Sequence, residues 1–263
     1  MAPTPRILVV EDDQIISSLI TTMLEKKGYH VVGVVVSGEE AIMKSAELEP
    51  DLVLMDINLC GFIDGVSAAR YIFQFFHFPI IFLTALCDDT LLERAKSSQP
   101  YGYILKPFTY KELTSNAQLA LYNHSMRHFK TDKYLFGEPK KIMSAMEAVM
   151  VTDTKGRIIF FNPYTVRLLE IPEKQILMNQ FKNVVTLFNN KTNEPIDNPI
   201  PHVINQMIVV INEFNTDLIT NNGKHRMATV TARPLKDDHN ELLGVFVHIR
   251  EKTPDQIKMS KRA

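Results

Sequence analysis

The feature that most limits this sequence is a hydrophobic period that switches back and forth along residues 6–130, from short unbroken apolar runs to stripes spaced three and four apart. Arg6 to Val10 is a run rich in β-branched residues that stops at three acids, Glu11, Asp12 and Asp13. Ile16, Leu19, Ile20, Met23 and Leu24 then follow the spacing of a helix with one buried stripe, and Gly28 stands where a left-handed C-terminal cap belongs. A second strand is expected over Tyr29 to Val36, after which Ser37 and Glu40 form a capping box for another helix. Asp51 to Asp56 reads as a strand, Val66, Ala69, Phe73 and Phe76 as a helical stripe, and Pro79 to Thr84 as a strand. A short helix over Thr90 to Ser98, a fifth strand over Tyr101 to Leu105 and a helix from Tyr110 complete the set. Strands alternating with helices imply an α/β fold, a doubly wound five-stranded parallel sheet whose site lies outside the carboxyl ends of the strands at a topological switch point.

That rule directs attention to the strand ends. Strand one ends in Glu11, Asp12 and Asp13, strand three in Asp56, strand four in Thr84 and strand five in Lys106. Converging carboxylates repel one another unless a cation joins them, and carboxylates, a carbonyl, waters and a phosphate are the ligands Mg2+ prefers. If Asp56 attacks a phosphoryl donor, the charge developing on the phosphoryl oxygens calls for a metal, an ammonium and a hydroxyl; Lys106 and Thr84 supply the last two. Each residue alone has a plainer reading. An aspartate at a strand end caps the next helix, as Asp13 can, a lysine before proline is a surface residue, and a threonine is ordinary in a strand. Their grouping at four strand ends of one sheet edge points instead to a site built to hold an acyl phosphate.

These segments also resemble a known family. Ile7-Leu-Val-Val-Glu-Asp-Asp13, Asp51-Leu-Val-Leu-Met-Asp56, Leu83-Thr-Ala85 and Gly102-Tyr-Ile-Leu-Lys-Pro-Phe108 look like the receiver domain of two-component response regulators, a flavodoxin-like fold, over residues 4–130. The resemblance implies that Asp56 is the aspartate phosphorylated by a cytoplasmic histidine kinase. It implies that Asp12 and the backbone carbonyl of Asn58 bind Mg2+ together with Asp56, with Glu11 acting through water. Thr84 and Lys106 would hold the phosphoryl group, Tyr103 would be the aromatic switch that follows the threonine, and the Lys106–Pro107 peptide would be cis.

Two departures stand out. The loop from Ile57 to Ile63 lacks the proline common in receivers, which leaves its backbone path open. Cys60 within it reads as a small filler, as does Cys87, since nothing beside either marks a thiol of lowered pKa. Past Tyr110 the helical pattern runs through Leu113, Ala117, Ala120 and Leu121 and toward Phe129. His124 and His128 lie four apart there and are expected to be solvated, with no third ligand at hand.

The second half has a different rhythm. Ala148 to Asp153, Gly156, and Arg157 to Phe161 read as a hairpin, and Asn162-Pro163 opens a helix. A looser, helical middle follows. Strands return over Phe214 to Thr220, His225 to Leu235 and Leu243 to Arg250, separated by Asn221-Asn-Gly223 and Asp237 to Asn240. The hairpin together with Gly244-Val-Phe-Val-His-Ile-Arg250 resembles a PAS domain, an α+β fold with an antiparallel sheet. The expected divisions are a receiver at 4–130, a linker at 131–141, a PAS domain at 142–253 and a tail at 254–263. The middle contains no cysteine for a flavin adduct, and His202, its one histidine, lacks a haem-sensor context. The PAS ligand stays unnamed, and a small apolar cavity or a filled core is the expectation.

Composition narrows the function. Residues 1–130 carry 11 Lys and Arg against 15 Asp and Glu, and the remainder 18 against 15, so neither half has the basic excess of a nucleic-acid binder. No apolar run spans a bilayer, the first residues do not read as a secretion signal, and two cysteines suit a reducing compartment, so a cytoplasmic protein without membrane contact is expected. Ten residues after Thr253 are too few for a DNA-binding or catalytic output, so no enzyme is expected. The resulting expectation is a phosphorelay response regulator whose receiver switches a PAS-mediated interaction, with a second copy or a downstream signalling protein. The alternatives are a small-molecule PAS sensor with the receiver as a dimerisation module, and a phosphate sink.

Overall fold

Strand β1 (Arg6–Val10) runs between β2 (His30–Val35) and β3 (Leu52–Asp56), parallel to both, and β4 (Ile80–Ala85) and β5 (Gly102–Lys106) continue the sheet in the order β2-β1-β3-β4-β5. The strand order therefore reverses beside β1, and the carboxyl ends of β1 and β3 lie side by side at that point. Helices α1 (Gln14–Lys27), α2 (Gly38–Leu48), α3 (Gly65–Phe76) and α4 (Tyr110–Met126) connect or follow the strands. This computed structural model describes residues 3–85, 98–126, 139–212, 216–237 and 239–253. The helix expected at Thr90 to Ser98, with Cys87, His128, the tail at 254–263 and most of the linker, lies outside those residues. The chain divides into two units, Met1–Lys140 and Lys141–Ala263.

Local chemistry sets the element ends. Gly28 takes φ +92°, closed to most side chains, and its N–H closes the last turn of α1. Ser37 Oγ accepts from Glu40 N at 3.3 Å, while Glu40 Oε2 reaches back to Val36 N, also at 3.3 Å. The core on one side of the sheet joins Ile7, Val9, Leu52, Leu54, Ile81 and Leu83 to Ile20 and Leu24 of α1 and to Leu113, Ala117 and Ala120 of α4. Leu19 departs from the expected stripe, being 47% exposed at its rim. Helix α3 is buried well beyond its expected stripe, Ala68, Tyr71, Ile72 and Phe75 included, as befits a helix that is apolar nearly all round.

In the second unit a seven-stranded antiparallel sheet contains β6 (Ala148–Asp153), β7 (Ile158–Phe161), β8 (Thr186–Asn189), β9 (Val210–Asn212), β10 (Thr216–Ile219), β11 (His225–Lys236) and β12 (Leu242–Glu251). Its order is β7-β6-β12-β11-β10-β8, with β9 paired to β11. Helices α5 (Pro139–Ser144), α6 (Pro163–Leu169), α7 (Phe181–Val184) and α8 (Pro199–Gln206) accompany it. The middle is not simply helical, because β8 and β9 lie within it. Both are only four and three residues long, too short for an alternating pattern to register. Asn162 caps α6 and is fully buried. Its Oδ1 accepts from Val149 N at 3.0 Å and Thr165 Oγ1 at 2.9 Å, and its Nδ2 donates to the carbonyls of Ile142 at 3.0 Å and Glu147 at 2.9 Å. One amide thus ties α5, β6 and α6 together.

Candidate functional site

The carboxyl edge of the parallel sheet collects the acids. Strand β1 is fully buried over Ile7 to Val10, which fixes where Glu11 and Asp12 emerge, and β3 is apolar from Leu52 to Met55 and ends on Asp56. Glu11 is 1% and Asp56 6% exposed. Ligand atoms of Glu11, Asp12 and Asp56 all lie within 4.8 Å of one another. From the end of β5, Lys106 Nζ donates to Glu11 Oε2 at 2.6 Å and to Asp56 Oδ2 at 2.8 Å. The other Asp56 oxygen, Oδ1, accepts from Asn58 N at 3.2 Å. The Lys106–Pro107 peptide is cis.

The electrostatics follow from this packing. Burial raises the Glu11 carboxyl above its ordinary pKa, and the Asp56 charge adds to the effect against the opposing pull of Lys106. Burial works to lower the Lys106 ammonium, but its hydrogen bonds to Asp56 and Glu11 prevail and raise it, so the lysine stays charged. A hydrogen bond from the Cys60 side chain holds the Asp12 carboxyl below its ordinary value, and the same bond pushes the Cys60 thiol up.

The other sequence candidates take these places. Asp13 stays outside the acidic group and caps α1, its Oδ1 accepting from Ile15 N at 2.8 Å and Ile16 N at 3.1 Å. Thr84 is buried at the end of β4, one residue beyond Leu83, the partner of Asp56 in the ladder, and its hydroxyl donates to the Ala85 carbonyl at 3.4 Å. Tyr103 on β5 pairs with Phe82 on β4, and their rings stack with centroids 5.8 Å apart. Asn58 is exposed at the start of the loop after β3, its N–H turned to Asp56. His202 is exposed on α8.

Three contributors escaped sequence reasoning. Cys60 is exposed rather than a filler, and its N–H donates to Asp12 Oδ2 at 3.2 Å, so the loop after β3 closes over the acids through this residue. Glu39, from the first turn of α2, is buried and accepts from Phe62 N at 2.8 Å and Ile63 N at 3.0 Å, which fixes the loop that lacks the proline. Gly65 opens α3 so close to β3 that a Cβ there would stand 1.8 Å from the Asp56 carbonyl oxygen. Glu39 lies beside Glu40 of the capping box, and nothing in the spacing told one from the other.

All donors of the acidic group are hard oxygens with an ammonium beside them, a set that suits a small divalent cation and a phosphoryl group together. Among the described residues, no helix is long and apolar enough to cross a membrane.

Comparison with known proteins agrees with this geometry. Residues 7–118 match the response regulator receiver domain model and residues 146–253 a PAS domain model. The transcriptional regulatory protein PdtaR of Mycobacterium tuberculosis (strain CDC 1551 / Oshkosh) is 35% identical over 116 residues, 44% of this chain and 56% of that protein. The probable C4-dicarboxylate response regulator DctR of Halalkalibacterium halodurans is 33% identical over 135 residues, 51% of this chain and 57% of that protein. The chain thus spans about half the length of the curated relatives it matches. The signal receiver domain of a modulated diguanylate cyclase from Desulfovibrio desulfuricans G20 is 36% identical, with a TM-score of 0.47, over 48% of this chain and 100% of that one. The chain carries a response regulator receiver domain over residues 7–118 followed by a PAS domain over residues 146–253.

Proposed function

We propose that Asp56 accepts a phosphoryl group from the phosphohistidine of a cytoplasmic histidine kinase, and that this changes what the PAS domain binds. The observation that carries the reading is the bridge from Lys106 Nζ to both Asp56 and Glu11 at the switch point of the sheet. An Asp56 carboxylate oxygen forms the new bond to phosphorus as the bond from phosphorus to the kinase imidazole nitrogen breaks, the electron pair leaving with the imidazole. Lys106 then follows the charge, since its ammonium already lies within hydrogen-bond reach of the oxygen that becomes an ester or carbonyl oxygen. Glu11, Asp12 and Asp56, with the Asn58 carbonyl, would hold Mg2+. When bound, that ion offsets negative charge on the phosphoryl oxygens. Asp12 enters already ionised, its carboxyl held low, which is the state a metal ligand needs.

The output follows from strand adjacency. Thr84 lies one residue from Leu83 on the strand that pairs with Asp56, and Tyr103 stacks on Phe82 of that same strand. A Thr84 hydroxyl that leaves the Ala85 carbonyl for a phosphoryl oxygen frees space beside β5, and Tyr103 follows it. Receiver and PAS domains act as signalling modules, and no catalytic output is part of this reading.

Acetyl phosphate with Mg2+ should add a single phosphate to the full chain, read by intact mass. The adduct should be absent from Asp56→Asn and from wild type in EDTA. An adduct that persists in Asp56→Asn would overturn the assignment of the acceptor.

A further inference from the structure

Strand β9 (Val210–Asn212) leaves an apolar edge open. It pairs on one side with β11, Val210 opposite Ala232, Ile211 opposite Thr231 and Asn212 opposite Val230, and among the described residues no strand occupies its other side. The pairing stops at Val210 for a local reason. Continuing it by two residues would set Ile208 opposite Pro234, which has no N–H to offer. Met207, Ile208, Val209 and Ile211 are left 40%, 45%, 54% and 58% exposed. Four exposed apolar side chains within five residues and an unpaired backbone edge together are what natural sheets avoid, unless another strand covers them.

The chemistry of the segment selects the occupant. Residues 199–212 contain no Asp, Glu, Lys or Arg, although such residues make up 22% of the chain. The strand laid against itself brings no like charges together and sets apolar side chains against apolar side chains. A two-fold axis perpendicular to a sheet reverses strand direction and keeps each side chain on its own face, so only residues of equal parity can oppose one another. Centred on Val210, that operation sets Val210 against its copy and Val209 against Ile211 of the second chain, twice. These are the two most exposed of the four side chains, and β-branched pairs of this kind favour cross-strand packing.

We infer that the β9 edge is an interface between two copies of this chain, joined as an antiparallel two-fold strand pair centred on Val210 in which Val209 faces the partner's Ile211. It does not require phosphorylation of Asp56. The test uses the full chain and measures mass in solution by light scattering after size exclusion. Wild type should have twice the chain mass. Val209→Lys and Ile211→Glu, each at an exposed position, should have the single mass. The double variant Val209→Lys/Ile211→Glu should return to twice the mass, because each lysine then faces a glutamate, and this return also shows that the substitutions leave the domain folded. A monomeric wild type overturns the proposal and leaves the edge to a strand of another protein. Single variants that remain dimeric overturn it by placing self-association elsewhere, and a monomeric double variant overturns the Val210-centred register.

Discussion

Lys106 Nζ stands 2.8 Å from Asp56 Oδ2 and 2.6 Å from Glu11 Oε2, so one ammonium from β5 serves carboxylates from two other strands. Removing it strands two buried acids. Lys106→Met should cost about 3–5 kcal/mol in urea unfolding with EDTA, the range for a broken buried pair, and Mg2+ should restore part of that loss. Adding Glu11→Gln should restore part of that loss without metal, since only Asp56 then stays unpaired. A Lys106→Met midpoint equal to wild type in EDTA would show that the three groups are not coupled in this way.

Cys60 reports on Asp12. With the thiol raised by its hydrogen bond to Asp12, alkylation of Cys60 by iodoacetamide in a Cys87→Ser background should run slower in the folded chain than in urea. Asp12→Asn should speed the folded reaction, and so should Mg2+ if Asp12 turns to the ion. A rate indifferent to Asp12→Asn would remove the thiol from the account.

Gly65 and Gly244 form a matched pair, one in each domain. A Cβ at Gly65 would come within 1.8 Å of the Asp56 carbonyl oxygen, and one at Gly244 within 1.8 Å of the Thr152 carbonyl oxygen. Each alanine variant should lose about 1–3 kcal/mol, as overpacked sites do. Only Gly65→Ala should also slow acquisition of phosphate from acetyl phosphate, since it alone pushes on the acceptor strand. Equal slowing by Gly244→Ala would contradict that division.

Glu39 fixes the loop over the site by accepting from Phe62 N and Ile63 N. Glu39→Ala removes the acceptor these two amides share and should cost about 1–3 kcal/mol. Amide hydrogen exchange should quicken at Phe62 and Ile63 and remain unchanged in β2. Unaltered protection at those two amides would show that other contacts hold the loop.

Acid sensitivity of the second domain should include Glu170. Lys224, Asn222 and Arg226 donate to its carboxylate and hold its pKa below the ordinary 4.5. A folded pKa below the unfolded one contributes stability that is fully present above 4.5 and lost as pH falls through the folded value. Glu170→Gln should therefore lower the urea midpoint near neutrality, and the difference should vanish in stronger acid. A gap that stays constant across that range would remove ionisation as its cause.

The receiver fold was legible because its strands are apolar runs bounded by residues with fixed backbone tasks: Gly28 as a left-handed cap, Ser37 and Glu40 as a capping box, and acids at the ends of β1 and β3. The positions of Glu11, Asp12, Asp56 and Lys106 followed from the strand ends alone; a cation and a phosphoryl group were read from the chemistry of those converging residues, and the separate roles proposed for each rest on family likeness. Glu39 and Cys60 were not legible, since their parts are played across a loop whose path no local period encodes. Strands β8 and β9 were missed for a related reason: three or four residues cannot display an alternation, and pairing with β10 and β11 makes them strands. Leu19 shows the converse, a residue of correct spacing left at the margin of the buried stripe.

The buried amide of Asn162 makes the entry helix of the second unit part of its sheet. Because the same side chain grips the carbonyls of Ile142 and Glu147 and receives Val149 and Thr165, the segment entering that domain cannot slide along the sheet while the sheet stays still. A pull on residues 139–144 either drags β6 and α6 with it as one piece or uncouples all of them at once.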